Sequence, residues 1–429
     1  MAWSLVIAGV TAVMIILSVL FFPEIKIGKI KLASYWIVAL IGAAFMLILN
    51  IVSVEEVIKE ITADTAVNPL KILALFLSMT LFSVYLDELG FFSYLSEKVL
   101  VVAKNSQKKL FLCLYLTVSV LTVFTSNDII ILTFTPFICA FCKRSGIIDP
   151  KPYLFSEFIA ANTWSMALLI GNPTNIYIGG SNGLTFFGYF SVMILPTIVS
   201  GTVSFLILYL LFNKSLCKEA EIDNVKTAEI KDKFLLYIGL AALISCIILL
   251  AVSSYINIES WIICVSLFVV ELLITVIYLV VKRRGERFIL SVIKRAPYEL
   301  IPFILSMFVI VSSLKSSGAT GLLKSFLEGF DEIFSYGISS FLCSNLINNI
   351  PMSVLFSTVT VSAKSTYATI VGSNLGAIFT PVGALAGIMW SGLLKKNGIK
   401  FSFRDFIVYG AAVSVPSLIT CLAVLGLVL

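Results

Sequence analysis

Phe124-Thr125-Ser126-Asn127-Asp128-Ile129-Ile130 is a polar break with a long run of apolar chain on either side. A second break of the same chemistry reads Cys343-Ser344-Asn345-Leu346-Ile347-Asn348-Asn349-Ile350-Pro351, and its paired asparagines begin 221 residues after Asn127. Upstream of the first break stand Pro69, Leu77-Ser78-Met79, Leu86 and Gly90. Upstream of the second stand Pro297, Leu305-Ser306-Met307, Leu314 and Gly318, each 228 residues later. Downstream, Asn172-Pro173-Thr174-Asn175 is answered by Thr380-Pro381-Val382-Gly383, with the prolines 208 residues apart. The chain therefore reads as one unit written twice, with polar interruptions at corresponding places.

Composition decides the solvent. The chain is 59% hydrophobic and 13% charged, with a mean hydropathy of +1.06, whereas a soluble domain carries roughly 25% charged residues. Apolar stretches long enough to cross a hydrocarbon layer of ~30 Å fall at Ser4–Phe22, Tyr35–Val52, Leu70–Leu86, Pro152–Gly180, Thr185–Phe212, Phe234–Ser253, Glu259–Val281, Tyr298–Leu314, Tyr367–Leu394 and Phe403–Leu429. The stretches around Asn127 and Asn348 read as re-entrant hairpins. Phe91–Lys104 and Ala319–Phe334 read as amphipathic segments lying in the interface. The first apolar stretch lacks a basic leader and a small-residue cleavage site, so it is taken as a helix. The fold class expected is an all-α polytopic membrane protein: two inverted-topology repeats, about ten spans, two re-entrant hairpins and discontinuous helices.

Of the 30 basic residues, 24 fall in five groups. These are Lys26, Lys29 and Lys31; Lys104, Lys108, Lys109, Lys143, Arg144 and Lys151; the lysines of 213–233; Lys282, Arg283, Arg284, Arg287, Lys294 and Arg295; and Lys395, Lys396, Lys400 and Arg404. One topology puts all five in the cytoplasm, as the positive-inside bias requires. Both termini then lie outside, the first hairpin enters from the cytoplasm and the second from outside. The organisation expected is a first repeat over 1–212, a cytoplasmic linker over 213–233 and a second, inverted repeat over 234–429, in the plasma membrane. The net charge of +6 is thus a sidedness signal and not a nucleic-acid footprint.

Unpaired backbone costs several kcal/mol per group in hydrocarbon, so a helix breaks there only beside protein or water that satisfies it. Serine and asparagine compete for backbone hydrogen bonds and start helices. A helix starting at mid-depth aims free N–H groups at the bilayer centre and attracts an anion or a polar solute. Unwound carbonyls near Pro173 and Pro381 suit a cation or substrate donors. The candidate substrate-binding residues are Ser126, Asn127, Asn162, Thr163, Asn172, Thr174, Asn175, Ser344, Asn345, Asn348, Asn349, Ser373, Asn374, Thr380 and Gly383. Ordinary intramembrane caps and proline kinks are the competing reading, weakened by the pairing of the breaks.

Carboxylates at depth are rarer. Asp128 is read either as a proton or cation handle or as an N-cap aspartate, with Asn349 as its counterpart in the second repeat. Glu271, midway along Glu259–Val281, is read as a second ion-coupling group or a packed structural acid. Glu157 and Glu299 are read as interfacial. Histidine is absent from the chain and the eight cysteines are scattered, so no metal site, cofactor or redox motif is expected. With no metal cluster and no phosphate loop, a membrane enzyme is disfavoured, and a passive anchor has no use for inverted polar breaks.

The chain resembles the arsenical pump membrane protein family, within the wider group that also holds divalent-anion/sodium symporters, citrate transporters and one class of sodium/proton antiporters. The residues that carry the resemblance are Ser126-Asn127-Asp128 with Leu132-Thr133-Phe134-Thr135-Pro136, then Asn348-Asn349-Ile350-Pro351-Met352, then Val371 through Ala386. Gly171-Asn172-Pro173-Thr174-Asn175 departs from that pattern and is closer to the anion-symporter signature. The resemblance implies a secondary transporter, a homodimer, a moving domain carrying two hairpins, and elevator-type alternating access. It implies proton-coupled efflux of arsenite, antimonite or a similar small oxyacid, and the family can pair with a separate ATPase subunit. The alternatives are a sodium-coupled di- or tricarboxylate symporter, against which a fixed charge at Asp128 would repel the substrate, and a sodium/proton antiporter.

Overall fold

The computed structural model describes residues 2–22, 24–27, 30–64, 68–103, 106–217, 229–283, 285 and 287–429. In chain order the elements are α1 (Ala2–Phe21), β1 (Glu24–Ile27), β2 (Ile30–Ala33), α2 (Ser34–Ile48), α3 (Val54–Thr62), α4 (Pro69–Glu88), α5 (Phe91–Ala103), α6 (Gln107–Phe124), α7 (Asn127–Arg144), α8 (Lys151–Trp164), α9 (Pro173–Ser181) and α10 (Phe186–Leu216). They continue with α11 (Lys233–Ile256), α12 (Ser260–Val281), α13 (Arg287–Lys294), α14 (Leu300–Ser316), α15 (Ala319–Leu327), α16 (Glu332–Ile347), α17 (Asn349–Ser357), α18 (Ala363–Gly376), α19 (Leu385–Lys396) and α20 (Phe403–Val428). A small antiparallel ribbon, β1 on β2, joins the first two spans. Neither it nor the short helices α3 and α13 is visible in the hydropathy pattern.

Six single helices are long and apolar enough to cross a membrane: α4, α6, α10, α11, α12 and α20. Helices α14 and α15 qualify together, but the chain bends by 79° between them, at Gly318 with φ +79°. That left-handed turn costs glycine little, and it lays α15 off the span axis as the expected interfacial segment. This segment ends at Leu327, earlier than the reading Ala319–Phe334, because α16 already starts at Glu332. The surface of the spanning helices is apolar: Leu210, Tyr237, Leu273, Ile277 and Val280 are exposed, as the bilayer allows.

Both hairpins return to the side from which they start. At the first, Tyr153 Oη at the start of α8 donates to Gln107 Oε1 at the start of α6, 2.8 Å away. Cys142, near the end of α7, lines a pocket with Lys151. So α6, although long enough to cross, enters and is brought back by α7. At the second, Tyr336 Oη near the start of α16 donates to Val359 O just past α17, at 3.0 Å, and Ser362 Oγ donates to Glu332.

The two hairpins have their bases on opposite faces. The start of α8 meets the start of α20 through Lys151 Nζ and Asp405 Oδ2, 3.2 Å apart. The end of α9 meets the base of the second hairpin through Asn182 Nδ2 and Thr360 Oγ1, 2.9 Å apart. Helices α8 and α9 are two halves of one broken span, so these bases are separated by the membrane. Helices α10 and α20 run antiparallel, with Ser204 Oγ 2.8 Å from Ser417 Oγ and the rings of Phe212 and Tyr409 5.2 Å apart. Each carries an interior proline, Pro196 and Pro416. This is the inverted-repeat arrangement. The side holding the first hairpin's base gathers the basic groups at 143–151, 282–295 and 395–404. Helix α10 continues to Leu216, into the segment expected as a linker; residues 218–228 of that segment, with Lys29, Lys104 and Arg284, lie outside the described residues.

The closest helix crossing is α16 against α18. A Cβ on Gly372 would lie 2.0 Å from Ser340 Oγ and 2.2 Å from Gly337 O, and one on Gly376 would lie 2.9 Å from Phe341 O. Small residues four apart let helix backbones approach in a membrane. Gly372→Ala is expected to cost about 1–3 kcal/mol by overpacking, lowering the melting midpoint in detergent. Gly9→Ala, where nothing lies within 4 Å, should leave the midpoint in place. Equal midpoints for the two variants would refute the crossing.

Candidate functional site

The two breaks of each repeat converge. At the first hairpin tip, α7 begins at Asn127, and Asn127 Nδ2 donates to Asn162 Oδ1 in α8 at 3.1 Å. Ser126 occupies the cap position but makes no side-chain cap bond. At the second tip Asn348 does cap α17, accepting from Ile350 N at 3.3 Å. It holds a left-handed backbone with φ +75°, which is uncommon for a residue with a Cβ and clusters at functional sites. Asn348 Nδ2 also donates to Val382 O at 3.1 Å, and Asn349 N to Gly383 O at 2.9 Å. The second tip is thereby sewn to the unwound segment between α18 and α19.

The repeats themselves meet at Asn374. Its Oδ1 accepts from Ser165 Oγ at 2.9 Å and from Asn172 Nδ2 at 3.0 Å. Its Nδ2 donates to Asn175 Oδ1 at 2.7 Å and to Ile370 O at 2.8 Å. Asn175 Nδ2 in turn holds Ser165 O and Leu168 O at the break between α8 and α9, at 2.9 and 3.2 Å. Thr380 Oγ1 donates to Asn345 Oδ1 at 2.6 Å, while Asn345 Nδ2 holds Gly376 O at 3.0 Å. All four hydrogen-bonding capacities of the Asn374 amide are used.

The sequence-derived residues therefore divide. Asn162, Asn172, Asn175, Asn345, Asn348, Asn374, Thr380 and Gly383 hold the broken backbones together. Ser344 donates to Ser340 O at 2.8 Å within α16 and packs against Gly376, so it is a packing residue. Of the sequence-derived substrate residues, those with a buried side-chain oxygen that has no hydrogen-bond partner are Ser126, Asn127, Thr163, Thr174, Asn349 and Ser373; further such oxygens lie elsewhere in the bundle, among them Thr80, Thr122, Ser200 and Ser414. Buried polar atoms of this kind call for an explanation, and six of them at the breaks point to a ligand that supplies hydrogen bonds or positive charge. Asn127 and Asn349 are each the first residue of a helix with a free carbonyl oxygen. Helix phase thus pairs Asn127 with Asn349, and Asp128 stands opposite Ile350 rather than Asn349.

Asp128 is half-buried in the first turn of α7 and lines a cavity of about 570 Å³. Leu132 of α7 and Leu385 and Met389 of α19 form one wall; Tyr35, Phe76, Thr80 and Leu300 form the other. The cavity reaches Lys294, Arg295 and Glu299, on the side that carries the basic groups. Arg295 is already paired there, 2.6 Å from Asp87 and 2.7 Å from Glu88. Among the described residues no lysine or arginine is buried.

Glu271 is not part of this constellation. It lies in α12, which packs on α4 and α11, where Thr275, one turn on, meets Tyr85 at 2.8 Å. Its depth was legible but its direction around the helix was not. Glu157 overturns the interfacial reading: it is 1% exposed and accepts from Thr135 Oγ1 at 3.2 and 3.1 Å. Six residues beyond Lys151 is ~9 Å along a helix, a depth that could have marked it.

The sequence of residues 12–369 matches the citrate transporter family. The chain is 27% identical to the arsenical pump membrane protein of Escherichia coli (strain K12) over 375 residues, 82% of this chain and 85% of that one. It is 25% identical to the protein of the same name from Yersinia enterocolitica over 378 residues, with the same shares covered, and 26% identical to a 46 kDa membrane protein of Mycobacterium leprae over 404 residues, 89% and 90% covered. A solved structure of Neisseria gonorrhoeae MtrF, described as illuminating a class of antimetabolite efflux pumps, superposes with a TM-score of 0.51 at 14% identity, over 99% of this chain and 94% of that one; this likeness bears on the fold. The resemblance to arsenical pumps read from the hairpin and Val371–Ala386 motifs is borne out, and the inverted, doubly broken helical bundle is a multi-pass transporter of the cell membrane. The chain belongs to the citrate transporter family.

Proposed function

We propose that this transporter exports a small neutral oxyacid, arsenite or antimonite in its undissociated form, in exchange for protons. The observation that carries the reading is the chemistry of the six unpartnered oxygens: four hydroxyls and two amide carbonyls, with no lysine or arginine buried among the described residues, and a nearby cavity whose wall carries Asp128, Glu299 and Glu24. An undissociated triol offers the hydrogens that those carbonyls accept, and hydroxyls match it as donor or acceptor. A dicarboxylate would meet Asp128 and Glu299 with no arginine free to clamp it. The relatives named arsenical pumps favour the same cargo.

The alternating step in this reading is of the elevator type. The hairpins with α8–α10 and α18–α20 form the moving unit, and α1, α2, α4, α11, α12 and α14 the scaffold. The first repeat over 1–212, the linker 213–233 and the second repeat over 234–429, a homodimer, and pairing with a separate ATPase subunit belong to the same proposal. A second reading is sodium-coupled carboxylate transport: it is favoured by the family's name and by Asn127 Oδ1 and Asn349 Oδ1, which are oxygens of the kind a cation accepts.

In everted membrane vesicles, arsenite accumulation driven by the proton gradient is expected, collapsing with a protonophore. Asp128→Asn should lower it by about tenfold or more, the scale of 1.4 kcal/mol. Sodium-stimulated citrate or succinate uptake without arsenite accumulation would instead select the second reading.

The division of the site generates a further contrast. Thr163→Val and Asn349→Ala each remove one unpartnered oxygen, worth about 1 kcal/mol to a bound solute, and should raise KM roughly fivefold with the melting midpoint held. Asn374→Leu leaves several buried groups without partners at about 1–3 kcal/mol each and should lose folded protein in fluorescence-detected size exclusion. The same phenotype for all three variants would remove the division.

A further inference from the structure

Glu157 and Glu271 are the only charged side chains below a tenth exposed among the described residues, each at 1%. Glu271 sits among α4, α11 and α12, away from the breaks. Glu157 sits inside the unit that carries both breaks, five residues before Asn162 in α8. Its hydrogen-bond partner is the Thr135 hydroxyl, one residue before the interior proline of α7. The Trp390 indole of α19 lies beside it.

The titratable groups around it are few. Helix α7 brings Cys139 and Cys142, and α8 itself brings Tyr153. Helix α6 contributes Gln107, bonded to Tyr153. The charged residues of α10 and α18 are Lys214 and Lys364, near helix ends. Asp128 lies two turns of α7 away from Thr135 and lines the other cavity.

A separate vestibule of about 500 Å³ opens beside this region on the side that carries the basic groups. It is lined by Cys139, one turn after Thr135 and within electrostatic reach of Glu157, together with Lys143, Asp149, Lys151 and Lys400. Lys151 is engaged there by Asp405. A carboxyl group whose partner is a hydroxyl has a property that an ion pair lacks. The threonine hydroxyl donates to the carboxylate and, by rotating, accepts from the acid. Glu157 therefore gains or loses a proton with its hydrogen bond kept and no cation stranded.

We propose that Glu157 is a proton-binding residue of the transport cycle, distinct from Asp128 and the substrate oxygens, exchanging its proton with the cytoplasm through the vestibule between α7, α8 and the end of α19. This rests on the proton-coupled reading given above. The proton taken up from outside stays on the carboxyl group while the unit moves and leaves past Cys139 once the vestibule is wet. Glu157 touches no substrate oxygen, so it carries the coupling ion and leaves solute recognition to the breaks.

The test uses full-length protein reconstituted in liposomes. Infrared titration should show a carboxylic C=O band that grows as pH falls and is missing from E157Q. Arsenite counterflow should stay within about twofold of the wild type in E157Q, whereas accumulation driven by a pH gradient should fall about tenfold or more. T135V keeps the acid but removes the hydroxyl, and should shift the midpoint of the band and of the pH profile for accumulation. Unchanged band and unchanged gradient-driven accumulation in E157Q overturn the inference. If E157Q does not fold, an unshifted band and pH profile in T135V overturn it instead. A wild type that moves no arsenite, yet loses its band in E157Q, would sink the proposed cargo and leave Glu157 as a proton site.

Discussion

A backbone group without a partner inside a membrane costs several kcal/mol, and this chain interrupts four helices there. The unwound segments are made good by asparagine side chains. Asn175 satisfies the carbonyls of Ser165 and Leu168 at the first unwound segment. Asn345 and Asn348 do the same for Gly376 and Val382 at the second. Asn374 ties the two repeats into one object. Each repeat thus satisfies its own broken backbone with its own asparagines, and the crossing between repeats is made by side chains at Asn374. Duplication with inversion is the arrangement that brings two such sets face to face.

The same constraint explains which polar atoms are left for cargo. Residues spent on holding backbone cannot also bind a solute. Asparagine amides with four capacities do the holding, and side chains with a single oxygen, Ser126 and Thr174 at helix starts and Thr163 and Ser373 in last helical turns, are left buried without a protein partner, as are the carbonyls of Asn127 and Asn349. A site made this way has little charge of its own. In the proposed reading its selectivity would come from hydrogen-bond count and size, which suits a small neutral molecule.

Much of this was legible because repetition converts weak signals into strong ones. A lone Asn-Asp in apolar sequence is ambiguous; its recurrence with Pro173 and Pro381 downstream is not. What was missed was azimuthal. Glu157, Glu271 and Asp128 differ in which way they face around a helix, and depth in the sequence carries no such information where all faces are apolar. The one-residue shift that pairs Asn127 with Asn349 was hidden because the cap is a serine in one repeat and an asparagine in the other. The Gly372 and Gly376 crossing was written in the sequence as a small-residue pair, yet its partner helix, α16, is named only by the coordinates. The bend between α14 and α15 rests on the single left-handed glycine, Gly318, which the matched spacing marked without giving its angle.

The second residues of the two hairpin helices sit in different surroundings. Asp128 lines a cavity between the first hairpin and α2, α4 and α14 that reaches Lys294 and Arg295. Ile350, its positional equivalent, is buried in a cluster with Leu300, Phe303 and Met307 of α14 and Ala43 and Met46 of α2. One tip borders a cavity and the other packs against an apolar cluster. In a perfect two-fold object the two would be equivalent, so the two repeats depart from exact symmetry at their hairpin tips. The residue types match these surroundings: the tip that packs in the apolar cluster carries an isoleucine, and the tip that borders the cavity carries an acid, whose charged form a dry apolar seat would penalise.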